Sequence, residues 1–227
     1  MQRSGRAMAV ERRTGVFIWP TWIAGLLAGD KHCAWAAWFR AHHRYDKRPD
    51  EDENQLARWK AEHAEMVRVR ARLLELDGWV VSVEDQNKFH YRGRAATVGG
   101  CPDLIVVAED MARIEDYKTG KEREADFWQV VLYCILAPLA TDTADRLDGR
   151  TLSGTIVYRD RERAISAEDI QASRPLVITQ ILRTASAEEP LRTPSAAECR
   201  YCDIACCPDR MSEVRPVTPV TVEGDLF

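Results

Sequence analysis

The sequence predicts a mixed α/β fold, with a sheet core, a helical subdomain near the N-terminus and a C-terminal cysteine segment. Three observations lead to this prediction. Residues 20–76 read as helical, short alternating segments separated by turn residues begin at Gly78, and residues 126–136 are apolar nearly all round, as in a buried helix. Helices followed by strands, a helix, a strand and a helix indicate a mixed core with helical flanks.

The helical region carries an apolar stripe at the spacing of helix turns, so we expect this face to pack on the core. The stripe consists of Leu56, Trp59, His63, Met66, Val69, Leu73 and Leu76. Predicted strands cover residues 79–83, 88–91, 102–108, 112–118 and 154–158. Residues 167–185 predict a further helix, interrupted near Pro175 because proline lacks the amide hydrogen that a helix needs.

With 227 residues, the chain has the length of one domain of ordinary size. We assign residues 1–15 to a flexible arm, residues 16–212 to the domain and residues 213–227 to a flexible tail. Within the domain, residues 16–76 form the helical part, residues 77–160 the sheet core with a helix at 124–138, and residues 161–212 a helix and a cysteine cluster.

The formal net charge of −4 argues against a general polyanion-binding protein. Any contact with nucleic acid must therefore come from a local basic strip, since the net field repels phosphate. The longest apolar runs, residues 130–137 and 104–108, are too short to span a membrane, and the basic N-terminal residues lack the apolar segment of a secretory signal. A cytoplasmic location without membrane contact is the resulting expectation.

Two acidic residues and a lysine are predicted to meet on a hairpin formed by the strands at 102–108 and 112–118. Side chains alternate between the faces of a strand, so Asp116 and Lys118 share one face and Glu115 lies on the other. A tight turn at 109–110 makes the strands neighbours, and Asp103 and Asp116 can then converge on one cation. Phosphodiester hydrolysis needs a hard cation held by oxygen ligands. The alternative is that Asp103 lies in a turn and that Asp116 and Lys118 form a surface pair.

Three further polar residues lie where such a site could use them. Gln129 and Tyr133 are four residues apart and share a face of the apolar helix, where polar tips need partners. A metal-bound phosphate would satisfy them, and so would bonds to the backbone. His63 falls within the apolar stripe and is expected to face inward, either as a core histidine or as a ligand of the candidate metal.

Three motifs together resemble the PD-(D/E)xK nucleases of the RecB type: Pro102-Asp103, Asp116-Tyr117-Lys118 and Gln129-x-x-x-Tyr133. The resemblance implies a restriction-endonuclease-like mixed-sheet core that binds Mg²⁺ or Mn²⁺. The ligands that it implies are His63, Asp103, Asp116 and the backbone carbonyl of Tyr117. It also implies that Lys118 assists the attacking water, and that Gln129 and Tyr133 organise the site or the DNA backbone.

Four of the seven cysteines are clustered near the C-terminus, at Cys199, Cys202, Cys206 and Cys207. An odd number of cysteines without an export signal argues against a disulfide framework. Thiolates at this spacing suit tetrahedral zinc or an iron–sulfur cluster. Three local ligands leave a fourth to be supplied, and Cys33 is the candidate.

One early cysteine and three late ones around a RecB-like core resemble the iron–sulfur nucleases, which include the CRISPR-associated exonucleases of the Cas-four family and the AddB nuclease domain. The resemblance implies a C-terminal iron–sulfur segment, in which a [4Fe–4S] cluster joins the N-terminal helices to the end of the domain. The implied ligands are Cys33, Cys199, Cys202 and Cys207. Cys207 is preferred to Cys206 because proline commonly follows the last cysteine in the family, as Pro208 does here.

These resemblances predict a metal-dependent DNA exonuclease that acts on single strands or ends, in repair, phage DNA processing or CRISPR adaptation. The sequence contains no G-x-x-x-x-G-K-[ST] motif, so helicase activity would have to come from a partner. One rival interpretation is a non-catalytic DNA-binding or assembly subunit with a structural zinc or iron–sulfur site. Another is a sequence-specific endonuclease, which would need an element that reads base edges.

The last residues, Asp225-Leu226-Phe227, place two large apolar side chains at the end of a segment with no helical pattern. They either pack back on the domain or insert into a partner's pocket. Asp-Leu-Phe at a terminus resembles the linear motif that binds the bacterial sliding clamp, although Glu223 and Gly224 differ from the usual residues. The clamp is therefore a candidate partner.

Overall fold

A computed structural model describes residues 10–48 and 53–211 of the protein. In these residues the helices are α1 (Pro20–Leu27), α2 (Ala34–His42), α3 (Glu53–Leu76), α4 (Glu124–Leu136), α5 (Ala144–Leu147), α6 (Ala167–Ala185) and α7 (Ala196–Arg200). The strands are β1 (Val10–Arg12), β2 (Phe17–Ile18), β3 (His43–Tyr45), β4 (Val80–Val83), β5 (Phe89–Arg92), β6 (Thr97–Gly100), β7 (Leu104–Val107), β8 (Met111–Tyr117), β9 (Thr151–Val157) and β10 (Glu162–Ile165). The mixed α/β prediction is confirmed. No helix in the described part of the chain is long and apolar enough to cross a membrane.

The central sheet has the strand order β10-β9-β8-β7-β4. β8 and β9 are parallel, and the other neighbouring pairs are antiparallel. α4 lies between β8 and β9 in the sequence and provides the crossover that parallel pairing requires. The remaining described strands form two smaller sheets, β2-β6-β5 and β1-β3.

Helices cover both faces of the central sheet. Ile114 of β8 and Val130 of α4 belong to one core, which also includes residues of α1, α2 and α6. Leu104 and Val106 of β7 belong to a second core, against α3. Gly154 of β9 allows α4 to pack closely on the sheet, because a Cβ atom there would lie 2.7 Å from Val130 Cγ1.

The face that α3 presents to the sheet differs from the predicted stripe. Val67, Ala71 and Leu74 are buried in the second core. Val69 and Leu73, which belong to the stripe, have 48% and 53% of their surface exposed. Trp59 and Leu76 of the stripe are exposed as well. The prediction was wrong for these positions because α3 has apolar residues on more than one side, and the side that meets β7 and β8 depends on tertiary packing.

The part predicted to be helical, residues 16–76, also contains β2 and β3, and its first two helices share a core with the sheet. Ile23 of α1 and Ala37 of α2 lie in the same core as α4. The predicted flexible arm of residues 1–15 is also too long, because β1 pairs with β3. Backbone hydrogen bonds hold this strand in place. The predicted tail, residues 213–227, lies outside the described residues.

α6 runs without interruption through Pro175, in contrast to the predicted break. Pro175 and Gln171, one turn earlier, are both exposed. Water can therefore satisfy the carbonyl group that proline leaves without a partner. Five of the described strands were not predicted. β1, β2 and β3 have only two or three residues each, which is too short for an alternating pattern to be recognised. β6 ends in two glycines and β10 contains charged residues, both of which are uncommon in strands.

Candidate active site

The hairpin of β7 and β8 brings the predicted acidic residues together. Leu104 pairs with Glu115 across the two strands, so Asp103 lies beside Asp116. Asp116 is 2% exposed and faces α4, whereas Glu115 faces α3 on the opposite side of the sheet. The structure thus separates the two neighbouring acids as strand alternation predicts.

Asp103 is held by α3 and by the backbone of β8. Its Oδ2 atom accepts a hydrogen bond from the Tyr117 amide at 2.6 Å and lies 3.2 Å from His63 Nε2. The hydrogen bond with Asp103 raises the pKa of His63, and burial opposes this shift. His63 therefore contacts Asp103 and does not pack as an isolated core histidine.

Asp116 occupies the most enclosed position of the site. Its Oδ1 atom accepts a hydrogen bond from Gln129 Nε2 at 3.2 Å. Lys118 Nζ lies 2.6 Å from Oδ2 in an ion pair and is the one partner that Oδ2 has within the described residues. Burial raises the pKa of the Asp116 carboxyl to about 6, and Lys118 opposes this shift. A buried carboxylate oxygen is costly without a full set of partners, so a cation is a suitable additional one.

The polar side chains of α4 bond to the site and to each other. Gln129 Oε1 accepts a hydrogen bond from Lys118 Nζ at 3.0 Å, and Gln129 Nε2 donates to Tyr133 Oη at 3.0 Å. Burial lowers the pKa of Lys118, but the Asp116 carboxylate outweighs burial and the pKa is raised overall. Burial also raises the pKa of Tyr133 well above its ordinary value. Gln129 is thus fixed between the lysine, the aspartate and the tyrosine.

The donor set fits a hard cation by its chemistry more than by its spacing. In residues 10–48 and 53–211, no group of three or more His, Cys, Asp or Glu side chains is arranged to hold a metal ion. The fit therefore depends on the identity of the donors, since carboxylate oxygens are the ligands that Mg²⁺ and Mn²⁺ prefer. It depends also on the incompletely satisfied Oδ2 atom of Asp116.

Glu115 lies on the other face of β8, where its role is structural. It is fully buried, and its Oε2 atom accepts hydrogen bonds from Arg70 Nε at 3.1 Å and Tyr117 Oη at 3.0 Å. Arg113 forms an ion pair with its Oε1 atom at 2.6 Å. A buried carboxylate needs such partners. Glu115 is therefore satisfied within the fold and does not face the candidate cation.

The site opens into a cleft of 920 Å³. Residues that the sequence analysis did not connect with the site also line this cleft: Arg58, Trp59, Lys121, Arg123, Asp126 and Arg159. Trp59, which was predicted to face the core, is 46% exposed. A signal for part of this set is present in the sequence, because Lys121 and Arg123 follow Lys118 in one short basic loop.

The cysteine cluster brings together residues from both ends of the chain. Cys33, Cys199, Cys202 and Cys207 line one cavity of 240 Å³, and Cys206 does not. Burial raises the pKa of the Cys207 thiol, and the other three thiols of the cavity raise it further. The four cysteines are therefore neighbours, although the described residues do not bring them to the spacing of a metal-bound set.

Polar contacts attach the C-terminal segment to the N-terminal helices. Glu198 accepts hydrogen bonds from the backbone amides of His32 and Cys33 at 3.1 and 3.3 Å. Arg40 of α2 forms an ion pair with Asp203 at 2.8 Å, and its guanidinium group lies 3.6 Å from Cys202 Sγ. These contacts place Cys33 beside the cysteines of the C-terminal segment.

Comparison with known proteins identifies the family. The family model described as "PD-(D/E)XK nuclease superfamily" matches residues 27–208. A search of the curated proteins found no match. A solved structure described as "Crystal structure of SSO0001" is 14% identical in sequence, with 89% of this chain and 90% of that chain covered and a TM-score of 0.39. Because the family match spans most of the chain, the protein belongs to the PD-(D/E)XK nuclease superfamily.

Proposed function

We propose that the protein is a Mg²⁺- or Mn²⁺-dependent DNA nuclease, and more narrowly an exonuclease that acts on single-stranded DNA or DNA ends. The observation that supports this proposal best is the convergence of Asp103, Asp116 and Lys118 in one cleft. Two carboxylates and a lysine are the groups that metal-assisted phosphodiester hydrolysis needs. The volume of the cleft leaves room for a polynucleotide strand.

In this proposal the cation is held by Asp103, Asp116, His63 and the backbone carbonyl of Tyr117. A bound Mg²⁺ or Mn²⁺ ion polarises phosphoryl oxygens and lowers the pKa of a water molecule. The chain's own contribution is to hold the ligands in place. His63 and the Tyr117 amide fix Asp103, and Gln129 fixes Asp116. The carboxylates are therefore preorganised by neighbours on three different elements.

Lys118 is the side chain that we expect to act at the reacting phosphate. Its ammonium group lies 2.6 Å from Asp116 and 3.0 Å from Gln129 Oε1, and it lines the cleft. From this position it can orient the attacking water and offset the negative charge that develops on the phosphate. Gln129 and Tyr133 are positioning residues, because they act through Lys118 and Asp116.

Cleavage of linear and circular single-stranded DNA tests the proposed activity. With Mg²⁺ or Mn²⁺ the protein should degrade an end-labelled linear strand and leave a closed circle intact, and EDTA should abolish the reaction. Lys118→Ala should slow cleavage by about 10²-fold or more without changing the circular dichroism spectrum. Cleavage of the circle would contradict the exonuclease proposal and indicate an endonuclease. DNA binding without cleavage in either metal would favour a non-catalytic DNA-binding subunit.

We further propose that Cys33, Cys199, Cys202 and Cys207 hold a [4Fe–4S] cluster. The support is that these four thiols line one cavity, and that the other three contribute to the raised pKa of Cys207. Four thiolates are the usual ligand number of such a cluster. A cluster at this place would join segments from the two ends of the domain, and its binding free energy would add to the stability of the fold.

Metal analysis of protein purified without oxygen tests the cluster. The protein should be brown and contain about four iron atoms per chain together with sulfide. Cys33→Ser should lose the iron and melt at a lower temperature, whereas Cys206→Ser is the matched control and should keep both properties. Stoichiometric zinc without sulfide would contradict the iron–sulfur proposal and leave the nuclease proposal intact.

The proposed cellular role is repair, phage DNA processing or CRISPR adaptation. Because the sequence has no P-loop motif, we expect a helicase or an adaptation partner to supply single strands. The sliding-clamp prediction concerns Asp225-Leu226-Phe227, which lie outside the described residues. A pull-down that compares the full chain with a variant lacking these residues tests this partner. Equal retention of both by the clamp would contradict it.

A further inference from the structure

Trp59 is an exposed aromatic side chain at the proposed active site. All seven tryptophans lie in the described part of the chain, and Trp59 is the exposed one among them. Its side chain lines the same cleft as Asp103 and Asp116. Leaving so large an apolar ring in water is unfavourable. A ligand that covers this ring within the cleft would therefore gain binding free energy.

The ring of Trp59 is held in one orientation by contacts at its edge and on one side. Its Nε1–H group donates a hydrogen bond to Thr119 Oγ1 at 2.5 Å. Its ring centroid lies 5.5 Å from that of His63, at an interplanar angle of 33°. Both neighbours belong to the site, since His63 contacts Asp103 and Thr119 follows Lys118. Because the ring is already ordered, a ligand that stacks on it loses little side-chain entropy.

Positive charges line the cleft around this ring. Arg58 precedes Trp59 in α3, and Lys121 lies in the loop after Lys118. Within the residues that the structure describes, neither side chain forms an ion pair with an acidic group. Arg159, by comparison, is paired with Glu62. Arg58 and Lys121 are therefore the cleft cations most available to a phosphate backbone, in a chain whose net charge is −4.

We propose that Trp59 is a base-stacking residue that selects single-stranded DNA, with Arg58 and Lys121 contacting the phosphates beside it. This inference rests on the proposed nuclease function and names the residues that choose its substrate. Inside a duplex, both faces of a base are covered by its neighbours, so away from the duplex ends only an unpaired base can stack on a side chain. Such stacking tolerates any sequence, because every base has an aromatic face.

Tryptophan fluorescence in EDTA measures this binding without cleavage. Addition of a short oligothymidylate should quench the emission of the parent protein, because Trp59 is its exposed tryptophan. Trp59→Ala should lose most of this quenching and bind the labelled oligonucleotide about 5- to 150-fold more weakly, the equivalent of about 1–3 kcal/mol per stacked base. Trp59→Phe should recover much of the affinity. Leu73→Ala is the matched control, since Leu73 is an exposed apolar residue of the same helix outside the cleft.

The salt dependence of binding separates stacking from charge. Arg58→Ala and Lys121→Ala should each lower the slope of log affinity against log salt by about 0.7, the value for one phosphate contact on a single strand. Trp59→Ala should leave the slope unchanged. Affinity for a closed circular duplex, which has no exposed terminal base pair, should change little in Trp59→Ala.

The proposed nuclease function and the proposed stacking role of Trp59 can be refuted separately. If the parent protein neither binds nor cleaves single-stranded DNA, the proposed nuclease function itself is overturned. If the parent binds and cleaves single strands while Trp59→Ala matches it in affinity and quenching, the nuclease proposal stands and the stacking role is wrong. An equal loss of duplex and single-strand affinity in Trp59→Ala would also refute strand selection by this residue.

Discussion

Replacing Glu115 by Gln removes a charge from the buried face of β8 with almost no change in volume. The carboxylate accepts hydrogen bonds from Arg70 and Tyr117 and pairs with Arg113. The amide would leave two guanidinium groups poorly compensated, on side chains that are only 24% and 23% exposed. Removing one partner of a buried pair costs about 3–5 kcal/mol. We therefore expect the free energy of unfolding to fall by about this amount.

Urea unfolding in EDTA, followed by tryptophan fluorescence, measures this loss. The cleavage rate of Glu115→Gln, taken where the variant is fully folded, should remain at the parent's level because Glu115 faces away from the cleft. Glu162→Gln is a matched control, since Glu162 contacts the same Arg70 at 2.9 Å but is 48% exposed. Its loss should cost about 1 kcal/mol or less.

Two outcomes would refute this reasoning. A stable Glu115→Gln protein that no longer cleaves DNA would indicate that Glu115, and not Asp116, binds the cation. Equal losses of unfolding free energy in Glu115→Gln and Glu162→Gln would show that burial does not determine how much each carboxylate stabilises the protein.

Two other substitutions test the packing and the ion pairs. Gly100→Ala should destabilise the protein by about 1–3 kcal/mol and slow cleavage, because the added Cβ would lie 2.5 Å from Phe89 Cζ and 2.9 Å from Tyr133 Cε1; an unchanged thermal melt would contradict this. Asp203→Asn should lower the melting temperature at pH 7, and this difference should shrink as the pH falls below 3.8. Burial raises the pKa of Asp203, but Arg40, Tyr45 and Lys47 together outweigh burial, so the pKa lies below its ordinary 3.8. A carboxylate with a lowered pKa stabilises the fold above the unfolded-state pKa, and this contribution is lost as the pH falls through the folded-state value. A temperature difference that does not shrink as the pH falls below 3.8 would exclude the ion pair as its cause.

The acidic hairpin could be predicted because its signals are local. Alternation along β8 places Asp116 and Glu115 on opposite faces whatever the rest of the fold does. Helical spacing likewise places Gln129 and Tyr133 on one side of α4, and the structure shows that their side chains bond to each other. In these elements the backbone geometry alone decides which side chains are neighbours.

The orientation of α3 could not be predicted in the same way. Its apolar residues lie on more than one side, so periodicity is compatible with several inward faces, and packing on β7 and β8 selects Val67, Ala71 and Leu74. The exposure of Trp59 follows from this rotation. Which residues line the cleft therefore depends on tertiary packing. The loop after β8, the start of α4 and the N-terminal half of α3 meet only in the folded chain.

Asp116 is proposed as a ligand of the catalytic cation, and cleavage by Asp116→Asn tests this role most directly. This substitution keeps the volume of the side chain and an oxygen that can accept the bond from Gln129, but it removes the negative charge. We expect the folded variant to cleave end-labelled single-stranded DNA about 10²-fold more slowly, or not at all, in Mg²⁺ and in Mn²⁺. Cleavage by the folded variant at the parent's rate would contradict the account.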